Sequence, residues 1–149
     1  LFESSEEGNS KGLGIIPGRL KKFDSSVDKV PHMGWNTFKD IHPHPIVETF
    51  NNEQYFYYVH SYYAPMCEHT VASCNYIEDF SAVVCKDNFM GVQFHPEFTA
   101  EVMRAYLETQ APNLREAGQF PEYLLTKVRE AKASAGLLGR FAEFVRTRD

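Results

Sequence analysis

The sequence predicts an α/β fold with a strand-rich first part and a helical second part. From Gly12 to Phe94, short runs of aromatic and β-branched residues alternate with turn residues, a pattern typical of strands. Beyond Phe98 the apolar residues recur at helical spacing instead. The 149 residues, 43% of them apolar, suit one globular domain with its own core.

The strand-like runs end in a predicted hairpin that carries His95 into a loop. Lys86-Asp87-Asn88 separates the last two runs, and Asp and Asn tolerate the unusual backbone angles of a tight turn. The predicted strands are Leu13 to Ile16, Arg19 to Phe23, His32 to Trp35, Tyr55 to Ser61, Thr70 to Tyr76, Ser81 to Cys85 and Met90 to Phe94.

A long interval from Asn36 to Asn51 contains His42-Pro43-His44-Pro45. Alternating prolines favour extended backbone, and no acidic or cysteine residues cluster with these histidines. We therefore predict a solvated connector and no metal site.

Three helices are predicted after Phe98. Thr99 is placed to cap the first helix, which is expected to be interrupted near Pro112. Gly118 and Pro121 mark a stop and a new start. The apolar stripes are Val102, Met103, Tyr106 and Leu107, then Tyr123, Leu124, Leu125 and Val128, then Leu137, Leu138, Phe141, Phe144 and Val145.

Composition excludes several classes of function. The net charge is −5 and no basic stripe occurs, so nucleic acid is not an expected partner. No apolar run reaches membrane-spanning length, and the first residues are acidic where a signal peptide would be basic. Three cysteines without paired spacing predict neither a disulfide framework nor structural zinc, which favours a cytoplasmic location.

The most informative segment is Gly91 to Glu97, where an apolar run ends in His95-Pro96-Glu97. An imidazole can transfer protons near neutral pH, and a carboxylate two residues away can fix its tautomer and stabilise its cation. This pair forms the base and the orienting group of a nucleophilic triad. Taken alone, the tripeptide is also compatible with an ordinary polar turn.

Other segments strengthen the catalytic interpretation. Pro31 to Asn36, Tyr57 to Tyr63 and Gly91 to Glu97 follow one another in an order that resembles the class I glutamine amidotransferases. The resemblance is closest to the glutaminase of imidazole glycerol phosphate synthase, and Leu1 to Gly8 and Gly12 to Gly14 agree with it. It implies a flavodoxin-like α/β domain with a mixed sheet, here its C-terminal part over residues 1–97. Residues 98–149 would form a helical extension packed on that part.

The resemblance assigns roles to individual residues. His95 would protonate the leaving ammonia and activate water, and Glu97 would orient the imidazole. Glu7 would help to hold the α-amino group of glutamine, and the segment His60, Ser61 and Tyr62 its α-carboxylate. Tyr57, two residues from Val59 on the same strand, is a candidate for the same pocket. Tyr57 and His60 are equally suited to be core residues of a strand, and Glu7 to be a surface acid. No cofactor is implied.

A partner protein is also implied. Glutamine would be hydrolysed to glutamate, and ammonia would pass to a barrel-shaped cyclase subunit in a heterodimer that forms imidazole glycerol phosphate and AICAR in histidine biosynthesis. Trp35 and Asn36 would lie near that passage. Trp35 is equally suited to anchor a core. Phe98 occupies the position of a family lysine that assists the partner contact.

The family nucleophile is a cysteine in a Gly-x-Cys-x-Gly turn, and no such sequence occurs in this chain. By the same alignment, Leu1 and Phe2 would lie in the helix that follows this turn. Cys67, Cys74 and Cys85 lack flanking glycines and are expected to be thiols in or near the core. The chain alone is therefore predicted to be inactive.

Two alternatives arise from the same residues. Phe98 to Tyr106, Leu114 to Glu116 and Leu137 to Phe141 look more like the end of GMP-synthase glutaminases, which would serve another acceptor. A module that binds the partner without catalysing hydrolysis is the other alternative.

Overall fold

The computed structural model describes residues 1–116 and 118–147, so Ala117, Arg148 and Asp149 of the predicted extension lie outside the described residues. Within the described residues no helix is both long and apolar enough to cross a membrane. The strands are β1 (Phe2–Ser5), β2 (Ile16–Lys22), β3 (His32–Thr37), β4 (Tyr55–His60), β5 (Tyr62–Tyr63), β6 (Thr70–Asn75), β7 (Asp79–Lys86) and β8 (Phe89–Val92). The helices are α1 (Ala100–Glu116), α2 (Pro121–Lys127), α3 (Lys132–Ala135) and α4 (Leu137–Arg146).

Strand pairing is mixed, as predicted. Strand β1 pairs with β2 in parallel, and β5 pairs with the other edge of β2 in antiparallel orientation. Strands β3 and β4 form an antiparallel pair, and β6, β7 and β8 form an antiparallel meander. The backbone N–H of His95 donates to the carbonyl of Tyr57 at 2.9 Å, which ties the loop after β8 to β4.

The prediction that Leu1 and Phe2 lie in a helix is wrong. Phe2 begins β1, pairs with Ile16 and packs beside it in a small apolar cluster, so burial favours the extended conformation. The chain then turns back so closely that a Cβ on Gly12 would lie 2.0 Å from the Phe2 carbonyl oxygen. Only glycine fits this approach.

Of the two runs predicted between Leu13 and Phe23, only Ile16 of the first belongs to a strand, and that strand continues through the second run to Lys22. Leu13 is 77% exposed and precedes β2, which begins at Ile16. The hairpin between the last two strands is confirmed, because β7 ends at Lys86 and β8 begins at Phe89. Asp87 has φ of 50°, the left-handed conformation that Asp tolerates in such turns.

The segment from Asn36 to Asn51 is not a solvated connector. Residues 39–42 run beside β6, with backbone hydrogen bonds from Lys39 to Ser73 and from His42 to Val71. A short 3-10 helix follows at Pro45–Val47, and the segment buries four apolar side chains. These are Phe38, Ile46, Val47 and Phe50. These side chains fill space in the core that the strands leave open. The free energy of burying them outweighs the local preference of the prolines for an exposed loop.

Helix α1 begins as predicted but does not stop at Pro112. The Thr99 hydroxyl accepts from the N–H of Val102 at 3.2 Å, which confirms the cap. The helix continues through Pro112, since Leu107 and Leu114 on either side pack in one cluster with α2. This packing offsets the cost of about 3 kcal/mol expected for an interior proline.

The boundary between α1 and α2 agrees with the sequence, whereas α3 is a short additional helix that the apolar spacing does not predict. The N–H of Gly118 bonds to the Arg115 carbonyl, and Gly118 has φ of 72°, the usual glycine termination of a helix. Pro121 opens α2 at its first turn, where its missing N–H has no cost.

The main core includes α4 as well as the sheet. Leu137 is fully buried and belongs to the same cluster as Phe38, Ile46, Phe56 and Phe94. Arg140 reinforces this contact, because its guanidinium donates to the carbonyls of Ile46 and Ala133 and lies 4.8 Å from the centre of the Phe50 ring. The C-terminal helix is therefore part of the core.

Replacing Leu137 by alanine tests this role of α4. Leu137→Ala is expected to lower the free energy of unfolding by about 2–5 kcal/mol, because it removes a fully buried side chain and leaves a cavity. Leu138→Ala is the matched control, since its neighbouring side chain is 63% exposed and its loss is expected to cost about 0.5 kcal/mol or less. Urea unfolding of both variants measures the difference, and equal effects would contradict the assignment.

Candidate active site

His95 is placed by a buried anchor and a backbone bond. Phe94, the residue before it, is 3% exposed and packs against Phe38, Phe56 and Tyr58. The His95 N–H is bound to the Tyr57 carbonyl, as described above. The loop after β8 therefore presents the imidazole from a fixed position at the edge of the core, with 35% of its side chain exposed.

The imidazole of His95 and the carboxylate of Glu97 form a hydrogen-bonded pair. The Nδ1 atom lies 2.7 Å from Oε1 of Glu97. A carboxylate only accepts, so Nδ1 carries the hydrogen and the lone pair of the neutral ring is on Nε2. Partial burial acts to raise the pKa of Glu97, but the hydrogen bond and charge of His95 lower it overall. The pair is chemically a base with its orienting group.

Strand β4 divides the predicted substrate residues between its two faces. Phe56, Tyr58 and His60 point into the core, whereas Tyr57 and Val59 alternate to the other face. The Tyr57 ring contacts the rings of Trp35 and Phe98 on that outer face. The structure therefore does not place Tyr57 and His60 in one pocket, contrary to the expectation from the sequence, because side chains alternate along a strand.

His60 takes part in a buried chain of hydrogen bonds. Its Nδ1 donates to the carbonyl of Tyr62 at 2.9 Å, so its Nε2 is an acceptor. The Nδ1–H of His32, on the paired position of β3, donates to that Nε2 at 2.9 Å. Asn36 completes the chain by offering its amide to Nε2 of His32 at 3.4 Å. The donor and acceptor in each of these hydrogen bonds follow from the Tyr62 carbonyl, because a carbonyl oxygen can only accept.

The two hydrogen-bonded histidines, His32 and His60, are held neutral. His32 is 4% exposed and His60 9%. Burial lowers the pKa of His32 to about 4, and the charge of His60 adds to the effect. Burial likewise lowers the pKa of His60 to about 4, opposed by the Tyr62 carbonyl and assisted by the charge of His95. The His32 ring is also stacked between Tyr58 and Tyr76, with centroids 5.0 and 4.2 Å away.

The remaining predicted glutamine contacts lie at strand ends or in a short helix. Ser61 lies in the bend between β4 and β5, and its carbonyl accepts from the N–H of Phe23. Tyr62 begins β5 and pairs with Lys22. Glu7 is exposed in a short 3-10 helix at Glu7–Asn9. The contacts of Glu7 with Ser5 and Ser10 are local.

Trp35 and Asn36 also point to opposite faces. Trp35 packs with Tyr57 against a cluster formed by α1 and the residue after α2, namely Ala100, Met103, Leu107 and Val128. Asn36 faces His32 and donates to the carbonyl of Asn75 at 2.9 Å. The structure thus covers Trp35 with the C-terminal helices and does not bring it together with Asn36.

The three cysteines do not carry the features of a nucleophile turn. Cys74 is fully buried, and burial raises the pKa of its thiol to about 12, so the reactive thiolate is suppressed. Cys67 and Cys85 are partly buried. Both contribute to the wall of a surface cleft of about 460 Å³ that His42 and His69 also line, whereas His95 does not. No group of three or more potential metal ligands occurs among residues 1–116 and 118–147.

Two residues near the site have roles that sequence reasoning missed. The sequence places His32 only in a partner-facing segment, but the strand register sets it opposite His60. Phe98 departs from the family lysine, and its ring contacts both His95 and Tyr57. The contact between His32 and His60 has no signal in their spacing until the strand register is known.

Comparison with known proteins gives the family of this arrangement. Residues 15–111 match the family described as glutamine amidotransferase class-I. The imidazole glycerol phosphate synthase subunit HisH of Colwellia psychrerythraea is 38% identical over 126 residues, 76% of this chain and 56% of the relative. HisH subunits of Shewanella oneidensis and Methanosarcina barkeri are both 48% identical, over 62% and 65% of this chain and 45% and 50% of the relatives.

The fold has a counterpart among solved structures. A glutamine amidotransferase of Thermotoga maritima superposes with a TM-score of 0.56 at 22% identity, over 76% of this chain and 50% of that chain. This likeness supports the flavodoxin-like α/β fold. The chain spans about half the length of the relatives it matches.

The buried histidine pair predicts how stability depends on pH. Well above pH 6.5 neither the folded nor the unfolded state binds protons at His32 and His60, and stability is fully retained. As the pH falls from 6.5 towards 4, the unfolded state takes up protons that the folded state does not, so stability decreases. The loss is expected to be on the order of 2 kcal/mol per imidazole, with solvent screening allowed for.

Urea unfolding across this pH range measures the effect. The double variant His32→Gln with His60→Gln is expected to have lower stability at neutral pH but a shallower decline towards acid, because neither side chain takes up a proton. His42→Gln, at an exposed position, is the control and is expected to keep the full decline. A decline that the double variant retains unchanged would rule out the pair as its source.

Proposed function

Because this chain belongs to the glutamine amidotransferase class-I family, we propose that it forms part of a glutaminase that supplies ammonia to imidazole glycerol phosphate synthesis. The observation that carries the proposal is the hydrogen bond between Nδ1 of His95 and Glu97, which leaves Nε2 as the base. The relatives named as HisH subunits of imidazole glycerol phosphate synthase support this assignment. In the proposed pathway the ammonia is used to form imidazole glycerol phosphate and AICAR.

In the proposed reaction a cysteine thiolate attacks the carboxamide carbon of glutamine. The imidazolium of His95 donates its Nε2 proton to the leaving nitrogen, so that ammonia departs and a thioester remains. Neutral His95 then takes a proton from water, whose oxygen attacks the thioester and releases glutamate. Glu97 holds the tautomer and stabilises the cation. The cysteine belongs to a Gly-x-Cys-x-Gly turn, which does not occur among these 149 residues.

We assign the substrate contacts in accordance with the geometry. Ser61 and Tyr62 contact the α-carboxylate of glutamine, and His60 supports them from the core by binding the Tyr62 carbonyl. Glu7 contacts the α-amino group. Tyr57 lies with Phe98 on the outer face of β4, beside His95, and supports the base.

The proposed partner is a cyclase subunit that receives the ammonia. In this structure Trp35 is covered by α1 and the residue after α2, so the open part of the same strand face is the better docking surface. Met33 and Val59 are opposite each other there and are 60% and 36% exposed. Asn36 lies on the core side of β3, where its amide contacts His32. Its proposed influence on the ammonia passage is therefore indirect and is exerted by way of His32.

We retain the division of the chain at residues 97 and 98, with one refinement. The extension contributes Leu137 and Arg140 to the core of the first part, and it is expected to fold together with that part. A cytoplasmic location, with no cofactor, completes the proposal.

A complementation assay tests the proposed function. The chain is combined with the N-terminal half of the Shewanella oneidensis relative, and glutamate release is measured with and without a cyclase partner. Hydrolysis is expected only from the combination, because the chain alone supplies the base but no activated cysteine. His95→Ala is expected to reduce kcat by roughly 10²–10⁴-fold, as removal of a general acid–base does.

Two controls make the result specific. Glu97→Gln is expected to reduce kcat less than His95→Ala does, because the imidazole remains and only its orientation and charge stabilisation weaken. Glu53→Gln, on an exposed loop residue, is expected to have no effect. Glutamate release that survives His95→Ala would refute the assignment. Stimulation by GMP synthetase and not by the cyclase would favour the other acceptor suggested by the tail.

A further inference from the structure

One aromatic side chain contacts the ring of the proposed base. The ring centroids of Phe98 and His95 are 5.5 Å apart with the planes at 72°, an edge-to-face arrangement. Phe98 also contacts Tyr57, with centroids 5.1 Å apart. Phe98 therefore contacts both the proposed base and a side chain on the outer face of β4.

The bond to Glu97 alone does not hold the imidazole firmly. The carboxylate side chain is 62% exposed and that of His95 is 35% exposed, so water competes for both groups. The terminal torsion of histidine is also broad and roughly two-fold, which allows the ring to turn over. A second, apolar contact is needed to favour the one orientation in which Nδ1 faces Glu97.

Phe98 is itself fixed by the start of α1. Its N–H bonds to the His95 carbonyl at 3.3 Å, which closes a tight turn around Pro96 and Glu97. The next residue, Thr99, caps the helix through its hydroxyl and its carbonyl. The Phe98 ring then packs against the cluster that contains Ala100, Met103 and Leu107. The Phe98 ring thus connects helix α1 to the imidazole of His95.

We propose that Phe98 is a positioning residue for the reaction, which holds the His95 imidazole so that Nδ1–H faces Glu97 and Nε2 is presented to the substrate. The catalytic meaning of this role rests on the function proposed above. The contact itself is a property of the chain. An aromatic residue at this position makes the C-terminal helices part of the support of the active site.

Nuclear magnetic resonance of the 149-residue chain, with ¹⁵N-labelled histidine, tests the proposal. At neutral to alkaline pH, wild-type His95 is expected to be mainly the Nδ1–H tautomer and to show nuclear Overhauser contacts with the Phe98 ring. In Phe98→Leu the ratio of the two tautomers is expected to shift towards Nε2–H by roughly twofold to tenfold, the range that an aromatic pair contributes.

Two matched variants separate positioning from general stability. Phe98→Tyr keeps the ring and is expected to preserve the wild-type tautomer ratio. Phe89→Leu removes an aromatic ring that is 47% exposed at the start of β8, and it is also expected to leave His95 unchanged. The His32 and His60 signals report the integrity of the core in each sample.

Several outcomes would overturn the proposal. An unchanged tautomer ratio in Phe98→Leu would do so, as would an equal shift in Phe89→Leu. Should Phe98→Leu fail to fold, the wild type and Phe98→Tyr still decide. The absence of ring contacts between residues 95 and 98 in both proteins would overturn the proposal. Ring contacts in both proteins, together with the same Nδ1–H tautomer in both, would support it.

The test does not depend on glutamine turnover, so its failure is distinguishable from failure of the proposed glutaminase. If the complemented enzyme is active, Phe98→Leu is expected to reduce kcat by roughly tenfold to a hundredfold with KM nearly unchanged, because misplacement of the base affects the chemical step. An active enzyme in which Phe98→Leu has wild-type kcat would refute the positioning role while the proposed function stands.

Discussion

The antiparallel register of β3 and β4 is the constraint on which the rest of the structure depends. It places His32 opposite His60 and Trp35 opposite Tyr57, so that one face of the pair enters the core and the other receives α1. In β4, the carbonyl of Tyr57 also accepts a hydrogen bond from the N–H of His95. A shift of one residue would exchange the two faces and displace the base, because strand side chains alternate.

The buried polar chain within this pair is tolerable because each of its members has a partner. Asn36 donates to His32, His32 donates to His60, and His60 donates to the Tyr62 carbonyl. The two imidazoles stay uncharged. An unpaired polar group at this depth would cost more than a mismatched surface contact. These hydrogen bonds join β3 to β4 and span the bend at Ser61, so they link the core to the segment proposed to bind glutamine.

Much of the site could be predicted from local sequence, and the limits of prediction have physical causes. His95 and Glu97 are two residues apart after a strand, and the hydrogen bond between them is the one that this spacing predicts. The opposite faces of Tyr57 and His60 also follow from strand alternation once β4 is assigned. Pro112 and the prolines around His42 were misleading because local backbone preference predicted breaks and loops, whereas burial of Leu107, Leu114, Ile46 and Val47 decided their structure.

The sequence by itself determined the family, the α/β class, the hydrogen-bonded pair of His95 and Glu97, the β7–β8 turn and the cap at Thr99, since the residues that carry these features follow one another in the chain. Tertiary structure alone decided that Leu137 completes the core, that α1 covers Trp35, that His32 pairs with His60, and that Phe98 contacts His95 through its ring. All of these except the last join residues distant in sequence, and all four depend on how strands and helices pack. Packing is a property of the assembled surfaces, which no local pattern specifies.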